Sequence, residues 1–468
     1  MTNAHPDVPA AQAPAYHPVP GTPAGAYRAF LPEGWDGDAI LIHPEAPKWA
    51  RVNRTALQII TWLTEPGGGA EAAAAQLAAT YGLAPEDARR DVAAVEADLT
   101  RQGLLGPEPD GDVAPRIGTM FLILTERCNL ACAHCYGAYP DRGEMPLERV
   151  LKLVDELVEG GGTSITLSGG EPLLYKGLEQ VLERADPHLK IQICSNGILI
   201  DHRWAARLAQ LRDVTIQISL DGPTCEIHDA VRGPHAFDGA LRGILRLQEV
   251  GLSDRIVLAA TIQKVNKDHL MEMVHLAAGM GVTKLRFLPL RPEGTAKETW
   301  EATGDGLDTA AYERIFERFL DGKERMPKGL EVSCGLSGFT LNQAGGSTAG
   351  GLVCSVGRNL CVDASGDAYP CAALSRPSGL VGNVKEHSLA EVVHGEAHKR
   401  LHDIKKRRMV EIEECSRCLW RHFCQSGCMA IAENETGDLW ARESICHYRQ
   451  KAYARAFASI LAVPEKGA

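Results

Sequence analysis

The chain has 468 residues, about three domains on a length prior, and its 45 % apolar and 23 % charged residues are those of a globular protein able to bury a full core. Its 49 Lys and Arg against 60 Asp and Glu give a formal charge of −11, a poor fit to non-specific binding of nucleic acid or an anionic membrane. No run approaches the roughly 18 apolar residues of a membrane span, and the first 25 residues hold six prolines with no basic or apolar signal region. The unusual count is 14 cysteines, which in a large chain without an export signal points to metal rather than to disulfides, and to a reducing cytoplasm.

Residues 1–25 read as a flexible Pro/Ala-rich lead-in. Residues 26–107 read as a small α+β domain. Short β-like runs (AYRAF, DAILIH, WARVN) precede helices over about 54–64, an Ala-rich segment to Tyr81, and about 85–102. A linker follows at 108–116. From 117 to 305 six apolar runs (FLILT, SITLS, IQICSN, VTIQISL, IVLAATI, KLRFLPL) alternate with helical patterns over 146–160, 177–186, 201–211, 238–250 and 267–280. That is parallel βαβ winding, and six units fit a partial barrel with ligands at the C-terminal strand ends. Residues 306–350 read as a bridging helix and a glycine-rich loop, 351–450 as a cysteine-dense domain, and 451–468 as a final helix.

The cysteines fall in two groups. Cys128, Cys132 and Cys135 form C-x3-C-x2-C after the first barrel strand. Three thiolates leave one iron of a [4Fe–4S] cube open, whereas a structural zinc needs a fourth ligand such as His134. Cys354, Cys361 and Cys371 are followed by Cys415, Cys418, Cys424 and Cys428 and then Cys446, enough for two closed cubes, with a pair of zinc ribbons as the bland alternative. Cys194, Cys225 and Cys334 remain, and a packed, inert thiol is the default for each.

The first group, with LSGGEP (167–172), CSNG (194–197), QISLDGP (217–223), His228, Asp229 and Arg232 in order along the strand ends, resembles the radical S-adenosylmethionine (SAM) superfamily. The resemblance implies a partial (β/α)6, TIM-like barrel of the α/β class. Its open iron chelates SAM, whose reductive cleavage yields a hydrogen-abstracting 5′-deoxyadenosyl radical. It places Gly169, Gly170 and Glu171 at the methionine ammonium, Ser195 and Asn196 near the ribose or methionine, Ser219 and Arg232 at the carboxylate, and His134 against adenine. The second group, with Gly366 spaced C-x11-G-x4-C, resembles the SPASM domain of peptide maturases. That likeness implies two auxiliary [4Fe–4S] clusters, three in all. Cys354, Cys361, Cys371 and Cys428 would hold the nearer one, and Cys415, Cys418, Cys424 and Cys446 the outer one. Sulfatase-maturating relatives carry a basic Asp after the third cysteine. Here Ala372 stands there, so no catalytic base is assigned.

The front domain has a winged-helix order, but 7 Lys and Arg against 11 Asp and Glu between 21 and 107 speak against DNA. It resembles the peptide-recognition domain of the pyrroloquinoline quinone chaperone PqqD. That implies a leader peptide added beside the third strand, about Trp49–Asn53, with the helix over 86–102 as the other wall. The implied function is oxidative modification of a ribosomally made peptide, a thioether, carbon–carbon or ether cross-link, with a flavodoxin- or ferredoxin-type electron donor. The alternatives are a radical SAM enzyme acting on a small-molecule or cofactor precursor, and an iron–sulfur winged-helix regulator.

Overall fold

The computed structural model describes residues 28–32, 37–43, 46, 48–104, 116–137, 143–290, 293–303, 307–321, 326–334 and 354–462. The lead-in over 1–25, most of the linker and the glycine-rich loop over 345–351 lie outside them. In the front domain β1 (Arg28–Phe30), β2 (Ala39–Ile42) and β3 (Trp49–Val52) form an antiparallel sheet in that order. Helices α1 (Arg54–Thr64), α2 (Ala70–Tyr81) and α3 (Pro85–Arg101) follow. Asn53 caps α1 by accepting from the Ala56 N–H at 2.8 Å, and Pro85 starts α3 at a position where a missing N–H costs nothing.

All four residues of β2 are buried, because both faces of this sheet are covered. Ala29, Leu41, Ala50 and Val52 pack on Ile60 and Leu99 of the helices. Phe30, Ile40 and Ile42 point the other way and pack on Trp420, Phe423, Tyr453 and Phe457 near the C-terminus. Phe457 stacks on Trp420 (centroids 5.3 Å apart, planes at 6°) and meets the edge of Trp49 at 5.3 Å. Arg51 donates to the Ile460 carbonyl at 3.2 Å. β1 and β3 are the two edge strands of the sheet.

The central sheet has ten strands. Six parallel strands carry the barrel: β4 (Thr119–Thr125), β5 (Ser164–Gly169), β6 (Lys190–Ser195), β7 (Val214–Ser219), β8 (Ile256–Ile262) and β9 (Lys284–Pro289). Helices α4 (Leu147–Glu159), α5 (Leu178–Ala185), α6 (His202–Ala209), α7 (Cys225–Arg232), α8 (Ala236–Glu249) and α9 (Leu270–Gly279) cover one face. In α4 the buried Val150, Leu153, Val154 and Leu157 recur at helical spacing, the stripe that seats it on the sheet. Sequence periodicity indicates one helix in the β7–β8 crossover, and the structure has two, broken at Gly233 (φ 103). After α10 (Thr295–Thr303) and α11 (Thr309–Asp321), β10 (Glu331–Cys334) adds a seventh parallel strand beside β9. Four residues are too few for a periodic signal, so this strand is not foreseen from the sequence.

The opposite edge is extended by the cysteine-rich segment. Strand β11 (Asn359–Val362) pairs parallel to β4, and β12 (Asp367–Tyr369) and β13 (Gly382–Asn383) continue antiparallel. The sheet ends at β10 and β13 and does not close. Gly366 turns the β11–β12 hairpin at φ +96, where a Cβ would also meet Asn383 Oδ1 at 2.8 Å. Helices α12 (Leu389–Val393), α13 (Glu396–Glu411), α14 (Glu413–Ser416), α15 (Arg421–Cys424), α16 (Met429–Thr436) and α17 (Cys446–Leu461) follow. The last helix therefore begins at the final cysteine rather than at 451. Arg149 and Glu156 on α4, paired at 3.1 Å, lock this segment to the barrel: Arg149 donates to the Val384 and His387 carbonyls, and Glu156 accepts from Leu389 N–H. No described helix is long and apolar enough to cross a membrane.

Truncating Phe457 to Ala removes the ring shared by the front sheet and α17. The expected cost is about 3–5 kcal/mol in unfolding by denaturant. A loss under about 1 kcal/mol would show that the two surfaces do not dock.

Candidate active site and auxiliary cysteine centres

Cys128, Cys132 and Cys135 occupy the loop after β4, at the C-terminal end of the barrel, and their thiols are mutual electrostatic neighbours. Burial pushes the Cys132 thiol up to about 11 against the pull of Arg232. Ligating an iron therefore means losing a proton that the empty loop retains. The loop is held by Ala133 N–H donating to the Val231 carbonyl (3.0 Å) and Ala296 N–H donating to the Cys135 carbonyl (3.0 Å).

The GGE turn packs backbone on backbone against this loop. Gly170 N–H donates to Thr125 O and Glu171 N–H to Arg127 O, each at 2.8 Å. A Cβ on Gly169 would lie 2.3 Å from Thr125 O, and one on Gly170 2.4 Å from Arg127 O. The glycines are thus required by the chain's own close approach, before any ligand is considered. Glu171 is fully buried. Its Oε1 accepts from Ser195 Oγ (2.9 Å) and Leu173 N–H (3.2 Å), and its Oε2 from Asn196 N–H (2.9 Å). Burial pushes its pKa up to about 7, while the three donors oppose the shift. Asn196 Nδ2 in turn donates to Asn129 Oδ1 at 2.8 Å, inside the cysteine loop. Glu171, Ser195 and Asn196 therefore form one network under the cysteines.

A second network surrounds Asp221, which the sequence motif contains but does not single out. Its carboxylate accepts from Thr261 N–H (2.7 Å) and Arg232 Nε (2.5 Å) and lies 3.3 Å from His134 Nε2. Its own N–H donates to His228 Nδ1 at 3.0 Å. Although burial disfavours its charge, Arg232 and His134 hold Asp221 below the usual carboxylate range. Burial also lowers the His134 pKa to about 4, so the ring is neutral at pH 7. His134 Nε2 lies 3.3 Å from both Arg232 Nη2, which can only donate, and Asp221 Oδ2, which can only accept, so its role depends on the ring tautomer. His134 Nδ1 is buried and has no partner among the described residues. Ser219, half-buried at the end of β7, makes no side-chain hydrogen bond among the described residues.

The face of the sheet away from the helices is polar. Gln192 Nε2 and Gln217 Nε2 each lie 3.6 Å from Cys194 Sγ, and Arg286 Nη1 donates to Gln217 Oε1 at 3.1 Å. These four side chains line the interior of the open barrel. The period-2 alternation of β6 and β7 placed them opposite the core, a signal available in the sequence but not used there. Cys194 is enclosed, whereas Cys225 departs from the expectation of a packed thiol and is exposed at the first turn of α7. The Cys334 side chain lies outside the described part of the structure.

In the C-terminal segment Cys415, Cys418, Cys424 and Cys446 line one pocket with about 430 Å³ of open space, which Cys428 does not line. Cys428 instead is an electrostatic neighbour of Cys354 and, with Cys371, packs on the barrel core. Cys361 is buried on β11. Among the described residues no three His, Cys, Asp or Glu side chains close on a single-ion position, the geometry that a zinc site needs. Four thiols spread around one pocket suit a larger multi-iron group, and the His134 Nδ1 in the three-cysteine loop, without a partner among the described residues, suits a polar edge of a nucleotide. Ala372, which opens a short 3-10 turn after Cys371, brings no acid to this side.

Glu171→Gln places an amide N–H against one of three donors. If the carboxyl is ionised in the fold, the apo protein is expected to lose about 1–3 kcal/mol in denaturant unfolding at pH 8. Unchanged stability would mean that the carboxyl is protonated.

The radical SAM superfamily model matches residues 122–277, the SPASM iron–sulfur cluster-binding domain 354–419, and coenzyme PQQ synthesis protein D 38–105. A mycofactocin maturase of Mycolicibacterium smegmatis is 33 % identical over 315 residues, 66 % of this chain and 76 % of that protein. An AdoMet-dependent heme synthase of Methanosarcina barkeri is 28 % identical over 70 % of this chain and 95 % of that protein. In fold the chain is similar to Streptococcus suis SuiB bound to S-adenosylmethionine (18 % identity, TM-score 0.57, covering 87 % of this chain and 96 % of that one). It is also similar to anSMEcpe bound to AdoMet (20 % identity, TM-score 0.57, 73 % and 98 %). With its motifs at the strand ends and its three matched domains, the chain belongs to the radical SAM superfamily, in the branch that carries a SPASM domain.

Proposed function

We propose that this enzyme oxidatively modifies a ribosomally made peptide, holding the leader on the front domain and the segment to be modified in the polar interior of the open barrel. The observation that carries this reading is the PqqD-type domain whose sheet is docked on the cysteine-rich segment while β3 keeps a free edge for strand addition. The bound cofactors supply one-electron cleavage of SAM and hence a hydrogen-abstracting radical. Cys128, Cys132 and Cys135 would hold the cleaving cluster. Cys354, Cys361, Cys371 and Cys428 would hold an inner auxiliary cluster, and Cys415, Cys418, Cys424 and Cys446 an outer one.

Around SAM, Gly169 and Gly170 admit the methionine moiety and Glu171 braces Ser195 and Asn196 beneath it. Arg232 and Ser219 face the carboxylate, and His134 lies on the adenine side. In cross-linking, the substrate loses one hydrogen atom to the adenosyl radical, one proton to solvent and one electron. Clusters held by the eight C-terminal cysteines, with every iron ligated, would supply electron transfer from the substrate towards a flavodoxin- or ferredoxin-type partner. Leader capture makes the later chemistry effectively intramolecular.

Mass spectrometry of a precursor peptide co-expressed from a neighbouring gene should show loss of two hydrogens in the core. Cys128→Ala should abolish 5′-deoxyadenosine release under dithionite. Added leader should slow hydrogen exchange at the amides of Trp49–Val52, and unchanged exchange there would exclude strand addition. The relatives named as heme synthases favour a second reading, a small-molecule precursor in the barrel. It predicts turnover without any peptide.

A further inference from the structure

Helix α13 carries two buried cations that the chemistry so far leaves unused. Arg408 is 0 % exposed and Lys405 8 % exposed, one helical turn apart. Neither forms an ion pair with a carboxylate among the described residues. Arg408 Nη1 donates to the carbonyls of Leu439 and Ala441, and its Nη2 donates to that of Ser426 at 2.8 Å. Its Nε has no partner among the described residues. Lys405 Nζ donates to the Val356 carbonyl at 3.1 Å. Carbonyl oxygens solvate a cation but do not cancel its charge, so burying two cations on one turn calls for nearby anions.

The groups around Arg408 that a bound cluster would make anionic are cysteines from both auxiliary sets: Cys415 of the outer, Cys354 and Cys428 of the inner. Without a metal, burial keeps the Cys354 and Cys415 thiols protonated. Glu443 is also near, but it is committed elsewhere. It pairs with Arg449 and accepts the Cys428 N–H at 3.0 Å. Lys405 faces Cys354 of the inner set, with the cations of Arg358 and Lys406 also near.

The backbone shows why Arg408 stands at this junction. Between Cys424 and Cys428, Gln425 (φ 53), Ser426 (φ 61) and Gly427 (φ 74) are all left-handed, a strained path for two residues with a Cβ. The turn sends Cys424 into the outer pocket and Cys428 towards Cys354. Arg408 holds its Ser426 carbonyl and Glu443 its Cys428 N–H, so the residue that fixes the divergence of the two ligands also places a cation between their sites.

We propose that Arg408 is the shared counter-cation of the two auxiliary cluster sites and Lys405 that of the inner site alone, raising the reduction potentials of the clusters they face. The inference rests on reading the eight cysteines as two iron–sulfur sites. A cube ligated by four thiolates is anionic and gains a further negative charge on reduction, so a cation fixed in low dielectric favours the reduced form.

Iron and sulfide analysis of the full-length, anaerobically reconstituted protein tests the two-site reading first. Redox titration followed by electron paramagnetic resonance then tests the inference, with the outer signal assigned by its loss in Cys418→Ala. Arg408→Met should lower both auxiliary midpoints, with at least a tenfold fall in the reduced-to-oxidised ratio at fixed potential, about 59 mV for a one-electron couple. Arg408→Lys, which keeps the charge, should restore them. Lys405→Met should lower the inner midpoint and leave the outer one. Loaded Arg408→Met protein with unchanged midpoints overturns the proposal. Should Arg408→Met fail to load iron, Lys405→Met decides: an unmoved inner midpoint overturns the proposal, and an inner shift alone supports it.

Discussion

One buried carboxylate organises the catalytic end of this barrel. Glu171 has no counter-ion in contact, and three donors from its own turn and from the end of β6 converge on it. Because its N–H is also tied to the cysteine loop, the exits of β4, β5 and β6 move as one unit. A three-cysteine loop is intrinsically floppy, with two ligand spacers and no regular structure. Its usefulness depends on being clamped from below by Glu171 and Asn196, and from the side by α7 and α10 through Ala133 and Cys135. The polar Asp221–Arg232–His134 group completes the wall, with burial keeping the histidine neutral and Asp221 holding the arginine charged against its burial.

The two auxiliary cysteine sets differ in what they are packed against. Cys354, Cys371 and Cys428 pack with the barrel core, and β11 is itself a strand of the barrel sheet. Cys418 and Cys424 instead share an aromatic cluster with the front domain's sheet. The front domain, the two groups of C-terminal cysteines and the barrel are thus joined through continuous packing. The front domain cannot be removed without baring Trp420, Tyr453 and Phe457, so it is a structural part of the enzyme as well as its proposed peptide-binding module.

Most of this architecture is legible along the chain, because its signals are local. The six βα repeats, the three-cysteine loop, the GGE and SNG turns and the winged-helix order each sit within a few residues. What escaped depends on pairing at a distance. Strand β10 is four residues that become a strand only against β9, and β11 extends the sheet only because it meets β4. Asp221 was in view within QISLDGP, but its importance comes from Arg232, His134, His228 and Thr261 converging on it. The sequence marks β2 only as a short β-like run, and the burial of all four of its residues follows from the second covering surface near the C-terminus.

Cysteine spacing by itself determines how many thiols each region offers, since the number of side chains in reach is a property of the local chain. How the C-terminal cysteines divide was beyond it: Cys424 and Cys428 are separated by three residues, and spacing treats them as one quartet with Cys415 and Cys418. Three consecutive left-handed residues, pinned by Arg408 and Glu443, turn Cys424 into the pocket of Cys415, Cys418 and Cys446 and Cys428 towards Cys354. Which thiols lie together therefore depends on backbone direction and on side chains brought from elsewhere in the chain, and that information exists only once the chain is packed.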